Sequence, residues 1–159
     1  MVVLIIEEHF IFIRRSDTMP THKGQIGFMG GHKKEDEICP IVTAKREFTE
    51  ESGLSMDLLD IKGILRPVVT ARKRVIIPVV AKIDSLSIDE FFKAAVSNGE
   101  WDNIIAGPID YLSDSDKWSH GLYCHEKEHS VYFCSLALQS CRYLSSMQEP
   151  YLLWGASAR

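Results

Sequence analysis

The sequence predicts one α/β domain spanning residues 1–159. Two runs rich in β-branched and aromatic residues, 2–6 and 9–14, are separated by a pair of glutamates, a pattern typical of strand, turn and strand. Apolar residues then recur at helical spacing between Ile41 and Phe48. A chain of this length buries a core without disulfides or structural metals.

Further elements follow from the same patterns. We expect strands over residues 25–28, 58–66, 74–83, 100–105 and 129–138, and helices over 87–96 and 107–112. Ser87 and Glu90 have the spacing of a capping box at the start of the first of these helices. The basic run from Arg72 to Arg74 is interpreted as a solvated turn or as a contact for a phosphate group of a ligand.

Composition excludes several classes of protein. The net charge of −4 disfavours a strongly electrostatic nucleic-acid binder, and the ordinary apolar content disfavours a membrane protein or a disordered chain. The four cysteines include no Cys-x-x-Cys pair, and the first apolar run becomes charged too early for a secretory signal. These features indicate reduced thiols and a cytoplasmic location.

Three carboxylates stand at helical spacing on one face of the expected helix. Glu47, Glu50 and Glu51 are related by i, i+3 and i+4, and Arg46 lies one turn before Glu50, where the two can pair. Like charges this close destabilise a bare helix. A divalent cation with oxygen ligands, such as Mg²⁺, would offset the repulsion, whereas a solvated acidic face is the simpler alternative.

The surroundings favour the metal-binding interpretation. A Gly-Gly pair, Gly30 and Gly31, precedes the helix; Pro40 suits its first turn and Gly53 its end. The run Arg-Glu-Phe-x-Glu-Glu-x-Gly-Leu behind Gly-x5-Glu resembles the Nudix box. It departs in one place, because eight residues rather than seven separate Glu37 from the arginine of the box.

The resemblance implies a fold and a reaction. The fold is an α/β/α sandwich with a mixed β-sheet between helices, and the reaction is hydrolysis of a pyrophosphate bond in a small-molecule nucleotide substrate. By the same resemblance, Glu47, Glu50, Glu51 and a carbonyl near Gly31 would bind Mg²⁺ or Mn²⁺, with Arg46 orienting Glu50. The catalytic base would be a glutamate of the box, with Glu50 our candidate there, or a carboxylate from a later loop. For the second case the candidate is Glu100, whose alternative is a surface carboxylate.

The loop before the box is similar to that of Nudix enzymes that hydrolyse coenzyme A. The matching positions are Arg15, Ser16, Gly24, Phe28, Gly30 and Gly31. In this loop we expect substrate contacts from Arg14, Arg15, Lys23 and Gly24. The products from coenzyme A would be 3′,5′-ADP and 4′-phosphopantetheine. Pro20 stands where that group has arginine and Met29 where it has proline, which opens the substrate to alternatives: ADP-ribose, a nucleotide sugar or a dinucleoside polyphosphate.

Two other interpretations stay open at this point. A non-catalytic Nudix module that binds a nucleotide is disfavoured by the intact glutamates. A zinc site from His120, Cys124, His125 and His129 is disfavoured because their spacing matches no closed four-ligand pattern. Residues 152–158 resemble a stretch found late in the coenzyme A group, which continues into a closing helix. Either a second subunit, as in a homodimer, covers that face or the fold tolerates the missing helix.

Overall fold

The structure, a computed structural model, describes residues 1–70, 73–125, 129–137, 141–144 and 152–154. For residues 120–125, 129–137, 152 and 154 the backbone alone is described. Within these ranges the strands are β1 (Val2–Ile6), β2 (His9–Arg15), β3 (Ile26–Gly27), β4 (Asp60–Ile64), β5 (Val68–Val69), β6 (Val75–Ile76), β7 (Val79–Lys82), β8 (Trp101–Pro108), β9 (Ser119–His125), β10 (His129–Ala137), β11 (Arg142–Tyr143) and β12 (Leu152–Trp154). The helices are α1 (Pro40–Ser52), α2 (Ile88–Ala94) and α3 (Ile109–Ser113).

The main sheet has seven strands in the order β11-β8-β2-β1-β7-β4, with β3 added beside β2. β1 runs parallel to β7, and the other pairs are antiparallel, so the sheet is mixed as expected. The strands β12-β10-β9 form a second sheet, and β5 and β6 form a two-stranded ribbon of their own.

Apolar residues cover both faces of the main sheet. Alternate residues of β1, namely Val2, Leu4 and Ile6, lie in one core cluster with the buried sides of α1 and α2. On the other side, Phe12 packs with the residues of α3 around Leu112 in a second cluster. Because side chains alternate along a strand, the two clusters lie on opposite faces, and the layers are helix, sheet and helix.

Helix α1 begins and ends where the sequence predicts. Pro40 occupies its first turn, and Gly53 ends it in the left-handed region with φ of 71°, donating its N–H to the Thr49 carbonyl. Ala44 and Phe48 are fully buried beneath the helix. This packing fixes how the helix is rotated about its axis and therefore which of its glutamates face solvent.

The structure shortens one long predicted strand and divides another. The strand expected over 58–66 begins only at Asp60, because Ser55 accepts a hydrogen bond from the Asp57 N–H and caps a 3₁₀ turn over Met56–Leu58. The strand expected over 74–83 is divided into β6 and β7 around Pro78. Proline has no N–H to donate to a ladder, which explains the interruption.

The remaining expectations divide into two groups. The capping box at Ser87 is confirmed with both of its hydrogen bonds. The strand expected over 100–105 continues to Pro108 as β8, so the short helix expected over 107–112 begins only at Ile109 and ends at Ser113. The side chains of His120, Cys124, His125 and His129 lie outside the described residues, as do residues 155–158. The zinc interpretation and the closing stretch therefore stay predictions.

Candidate active site

Helix α1 places its three glutamates in different environments. Glu47 and Glu51 are buried, whereas the Glu50 side chain is 47% exposed. Successive residues of a helix point about 100° apart, so a small rotation of the helix decides which of two neighbours is covered. The acidic face predicted from the spacing is therefore present, but it divides into a buried part and an exposed part.

The two glycines before the helix lie directly over the buried glutamates. The Gly30 N–H donates a hydrogen bond of 3.1 Å to Oε1 of Glu51. A β-carbon at Gly31 would clash with Oε1 of Glu47, so any side chain there would displace that carboxylate. The Gly-Gly pair thus brings backbone against two carboxylates, the close approach for which glycine is suited.

Glu51 is the least satisfied acidic group of the site. Burial raises the pKa of its carboxyl to about 7, and the charges of Glu100 and Glu47 act in the same direction against the Gly30 hydrogen bond. Its Oε2 atom is buried without a hydrogen-bond partner. A buried acceptor without a donor costs free energy unless a ligand or ion satisfies it.

Glu50, in contrast, is held by two cations. Lys34 donates to its Oε1 at 3.1 Å, and Arg46 donates to its Oε2 at 2.7 Å, as the i, i+4 spacing predicts. The Lys34 hydrogen bond, followed by that of Arg46, lowers the pKa of Glu50. Glu50 is therefore an anion throughout the neutral pH range.

Arg46 connects the helix to the preceding loop. Its Nη1 lies 2.6 Å from Oε1 of Glu47, and its Nη2 donates to the His32 carbonyl at 2.9 Å. Its Nε donates to Oε1 of the buried Glu37 at 2.6 Å. Hydrogen bonding to Glu37, with smaller effects of Glu47 and Glu50, raises the pKa of the guanidinium, which is charged at every physiological pH.

Glu37 is the site residue whose role the sequence left undefined. Its Oε2 accepts hydrogen bonds from the Thr43 hydroxyl at 2.6 Å and the Lys34 N–H at 2.8 Å. The Arg46 hydrogen bond is the main cause that lowers the pKa of Glu37 to about 2. The structure therefore shows Glu37 as the anchor of Arg46, and the extra residue before the box does not displace it from that position.

Glu100 and Arg15 lie at the open edge of the site. Arg15 Nη1 is 3.8 Å from Oε2 of Glu100, while Arg15 Nε is buried without a hydrogen-bond partner. The charge of Glu100 raises the pKa of Glu51, and the charge of Arg15 lowers it. Trp101, next to Glu100, donates its Nε1–H to the Glu51 carbonyl at 2.6 Å and so ties the start of β8 to α1. The structure brings Glu100, Arg15 and Glu51 together.

The other residues predicted to contact substrate lie in different surroundings, and their substrate contacts stay predictions. Arg14 donates to the carboxylates of Asp17 and Asp102, and a β-carbon at Gly24 would lie 3.0 Å from its Nη2. Lys23 and Pro20 are exposed.

Met29 is 1% exposed and packs in the core cluster beneath α1. The departure from the coenzyme A signature at Met29 therefore bears on packing and not on a side chain that faces a ligand.

The donor set suits a hard divalent cation. Carboxylate oxygens are the ligands that Mg²⁺ prefers, and the unpartnered Oε2 of Glu51 together with the close approach of Gly31 to Glu47 leaves an acceptor available for one. Among the described residues no three acidic, His or Cys side chains already converge on one point. Glu50 is turned towards Lys34 and Arg46 and would have to leave them to join Glu47 and Glu51 as a ligand.

Comparison with known proteins identifies the family. The NUDIX domain family model matches residues 1–103, which contain the glycine pair, α1 and Glu37. The chain belongs to the Nudix family.

No helix in the part of the chain that the structure describes is long and apolar enough to cross a bilayer.

Curated relatives are similar in sequence to this chain over most of its length. Nudix hydrolase 22, chloroplastic, of Arabidopsis thaliana is 27% identical over 150 residues, covering 94% of this chain and 46% of the relative. The mitochondrial coenzyme A diphosphatase NUDT8 of Mus musculus is 27% identical over 146 residues, covering 92% of this chain and 63% of that protein. The chain spans about half the length of the first of these relatives.

Solved structures support the fold. The C. elegans Ap4A hydrolase binary complex aligns with a TM-score of 0.51 at 17% identity, covering 69% of this chain and 86% of that one. At this level of identity the similarity concerns the fold alone, and it confirms the predicted Nudix architecture.

Proposed function

We propose that this protein hydrolyses a pyrophosphate bond in a nucleoside diphosphate linked to a second group, using Mg²⁺ or Mn²⁺. The observation that carries the proposal is the buried, unpartnered Oε2 of Glu51 on the acidic face of α1. A Nudix module that only binds nucleotides has no need to retain a desolvated carboxylate, whereas a metal-dependent hydrolase does.

The residues of the site have different proposed roles according to their surroundings. Glu47, Glu51 and a backbone carbonyl near Gly31 would bind the metal, with Glu50 joining them once it leaves Lys34 and Arg46. A bound divalent cation supplies neutralisation of the pyrophosphate charge and a lower pKa for water. Arg46, anchored on Glu37, orients Glu47 and Glu50.

Two carboxylates remain candidates for the base that takes the proton from the attacking water. Glu50 is anionic, as a proton acceptor must be, but it is paired with two cations. Glu100 lies at the edge of the site beside Arg15 and is 40% exposed. Both positions are compatible with proton transfer through one water molecule.

Coenzyme A and its derivatives are the proposed substrates. The support is the match of the loop before the box with the coenzyme A group and the 27% identity to a coenzyme A diphosphatase. Cleavage would give 3′,5′-ADP and 4′-phosphopantetheine. We also propose that residues 1–159 form a single domain, that it works in the cytoplasm with reduced thiols, and that a homodimer is its assembly.

A screen of pyrophosphate substrates with products resolved by mass spectrometry tests the activity. Coenzyme A, ADP-ribose, a nucleotide sugar and a dinucleoside tetraphosphate are incubated with Mg²⁺, with Mn²⁺ and with EDTA. We expect metal-dependent cleavage, fastest for coenzyme A. Faster cleavage of ADP-ribose would move the substrate to the alternative class, and no metal-dependent cleavage of any substrate would contradict the proposed function.

A further inference from the structure

One segment of the chain is strongly basic although the protein is acidic overall. Between Asp60 and Asp84 the sequence has six basic residues and no acidic one, against a net charge of −4 for the chain. At the two ends, Lys62 and Lys82 pair with these aspartates. An unpaired group of cations between these ends attracts ligands of opposite charge.

Three cations of this segment have no carboxylate partner in the part of the chain that the structure describes. They are Arg66, Lys73 and Arg74, and all three are exposed. We call residues 66–70 and 73–76, which include β5 and β6, the basic ribbon. The guanidinium group presents a planar fork of donors that matches phosphate oxygens, and the lysine adds a point charge.

The basic ribbon has a defined shape. Val68 pairs with Ile76 and Val69 with Val75, and the Thr70 N–H donates to the Arg74 carbonyl at 2.8 Å. The Arg74 N–H in turn donates to the Thr70 hydroxyl at 3.0 Å. With the hydrogen bond from the Lys73 N–H to the Thr70 carbonyl, these bonds hold Lys73 and Arg74 beside Thr70, at the end of the two strands away from Ile77.

The root of the basic ribbon lies beside the candidate active site. The Met1 nitrogen donates to the Ile77 carbonyl at 3.4 Å, and the Val79 N–H donates to the Met1 carbonyl at 2.9 Å. A β-carbon at Gly30 would lie 2.6 Å from the Met1 Cα. Gly30 is the residue that donates to Glu51, so the ribbon projects from the rim of the glutamate face.

We propose that the basic ribbon binds a phosphate monoester carried by the substrate outside its pyrophosphate group. This inference rests on the proposed function and specifies its substrate class. Arg66 lies at the root itself, next to Leu65, whose N–H donates to the Pro78 carbonyl. Arg74 lies three positions before Ile77, and at about 3.4 Å per residue this places it roughly 10 Å from the root. That distance suits a phosphate on the sugar of the nucleotide, such as the 3′-phosphate of coenzyme A, while the pyrophosphate lies against α1.

An apolar surface on the same ribbon supports this arrangement. Val69 and Val75 face each other across the two strands and are 59% and 61% exposed. Two exposed valines next to phosphate-binding cations offer contact to a flat base or a sugar, whose burial would remove apolar area from water. The ribbon therefore combines the contacts that a phosphorylated nucleoside needs.

Comparison of coenzyme A with dephospho-coenzyme A, which lacks only the 3′-phosphate, tests the inference. The ribbon variant carries Arg66→Gln, Lys73→Gln and Arg74→Gln, and the matched control loses the same charge elsewhere through Lys62→Gln, Lys93→Gln and Lys117→Gln. We expect the unmodified protein to prefer coenzyme A by roughly tenfold in kcat/KM, an effect typical of charge-assisted phosphate contacts. The ribbon variant should lose this preference while keeping its rate on dephospho-coenzyme A.

Several results would overturn the inference. One is a ribbon variant that prefers coenzyme A as strongly as the unmodified protein does. Another is a ribbon variant that loses the same rate on both substrates. The third is a control variant that also loses the preference for coenzyme A. High salt should reduce the preference, because exposed charges are screened.

A binding measurement separates this inference from the proposed function. Calorimetry with 3′,5′-ADP and 5′-AMP, in EDTA, needs no turnover. Tighter binding of 3′,5′-ADP that the ribbon variant loses would support the basic ribbon even if no pyrophosphate were cleaved, a result that would contradict only the proposed function. Equal binding of the two nucleotides by the unmodified protein would overturn the inference.

Discussion

Glu50 and Glu51 are neighbours with the same carboxyl group, yet helix α1 gives them opposite environments. Glu50 is 47% exposed and paired with Lys34 and Arg46, which lowers its pKa. Glu51 is 2% exposed, has one unpartnered oxygen, and has its pKa raised to about 7 by burial. A run of acidic residues at helical spacing is therefore not one uniform surface, because the packing of the helix gives each carboxylate its own environment.

The largest effect should come from changing the buried member of the pair. Glu51→Gln keeps the shape of the side chain but removes the charge, so we expect metal-dependent kcat/KM to fall roughly a thousandfold, within the range of essential catalytic groups. Hydrolysis assays with Mg²⁺ measure this. Glu35→Gln, an exposed change in the nearby loop, is the matched control and should keep its activity.

The second largest effect on activity should come from changing Glu37, which anchors Arg46. Glu37→Gln weakens the contact that fixes the guanidinium, and a misplaced catalytic geometry costs rate even when the changed residue does not touch the substrate. We expect kcat to fall about tenfold with little change in KM. Asp36→Asn, next to it and exposed, serves as the control. An unchanged kcat in Glu37→Gln would show that Arg46 needs no anchor.

The pH dependence of stability tests the difference between Glu50 and Glu51 without any substrate. Because the pKa of Glu51 rises from 4.5 to about 7 on folding, the folded state holds the proton more tightly than the unfolded state. Its contribution to stability is therefore present below about pH 4.5 and falls as pH rises to about 7. In EDTA, the free energy of unfolding of Glu51→Gln relative to the unmodified protein should therefore increase as pH rises through this range. The total increase should be roughly 3 kcal/mol at most.

Differential scanning calorimetry from pH 4.5 to 8 measures that gain. Glu50→Gln provides the comparison, since the pKa of Glu50 is lowered and its removal should cost stability at neutral pH. A difference between Glu51→Gln and the unmodified protein that stays constant with pH would contradict the burial of an ionisable carboxyl at this position.

The smallest effect should come from the exposed partner of Glu50. Lys34→Ala removes one of two cations, and exposed ion pairs contribute at most about 1 kcal/mol. We expect a change in kcat of about twofold, measured at saturating Mg²⁺. Lys33→Ala, one residue earlier, is the control. A loss as large as that of Glu51→Gln would mean that Lys34 contacts the substrate directly.

Local patterns made much of the fold predictable. The strand pair β1–β2, the ends of α1 at Pro40 and Gly53, and the capping box at Ser87 all follow from residues close together in sequence, and the structure has each of them. The pairing of Arg46 with Glu50 is also a local contact and was predicted from spacing alone.

The contacts that the sequence did not reveal join residues from different elements. Glu37 reaches Arg46 because the loop before α1 folds back over the helix. Met29 lies beside β1, where the Val2 N–H donates to its carbonyl, and its side chain packs into the core cluster. The division between Glu50 and Glu51 depends on the rotation of α1 against the sheet. Periodicity places both residues on one face but does not set how deeply each is buried.

Binding of Mn²⁺ to the unmodified protein and to Glu51→Gln, followed by electron paramagnetic resonance, tests the central claim most directly. The claim is that the buried oxygen of Glu51 is retained to bind a divalent cation. We expect the unmodified protein to bind Mn²⁺ and Glu51→Gln to lose that binding together with its turnover, while Glu35→Gln keeps both. If Glu51→Gln bound Mn²⁺ and cleaved pyrophosphate at the unmodified rate, the assignment of Glu51 and the proposed metal site would be wrong.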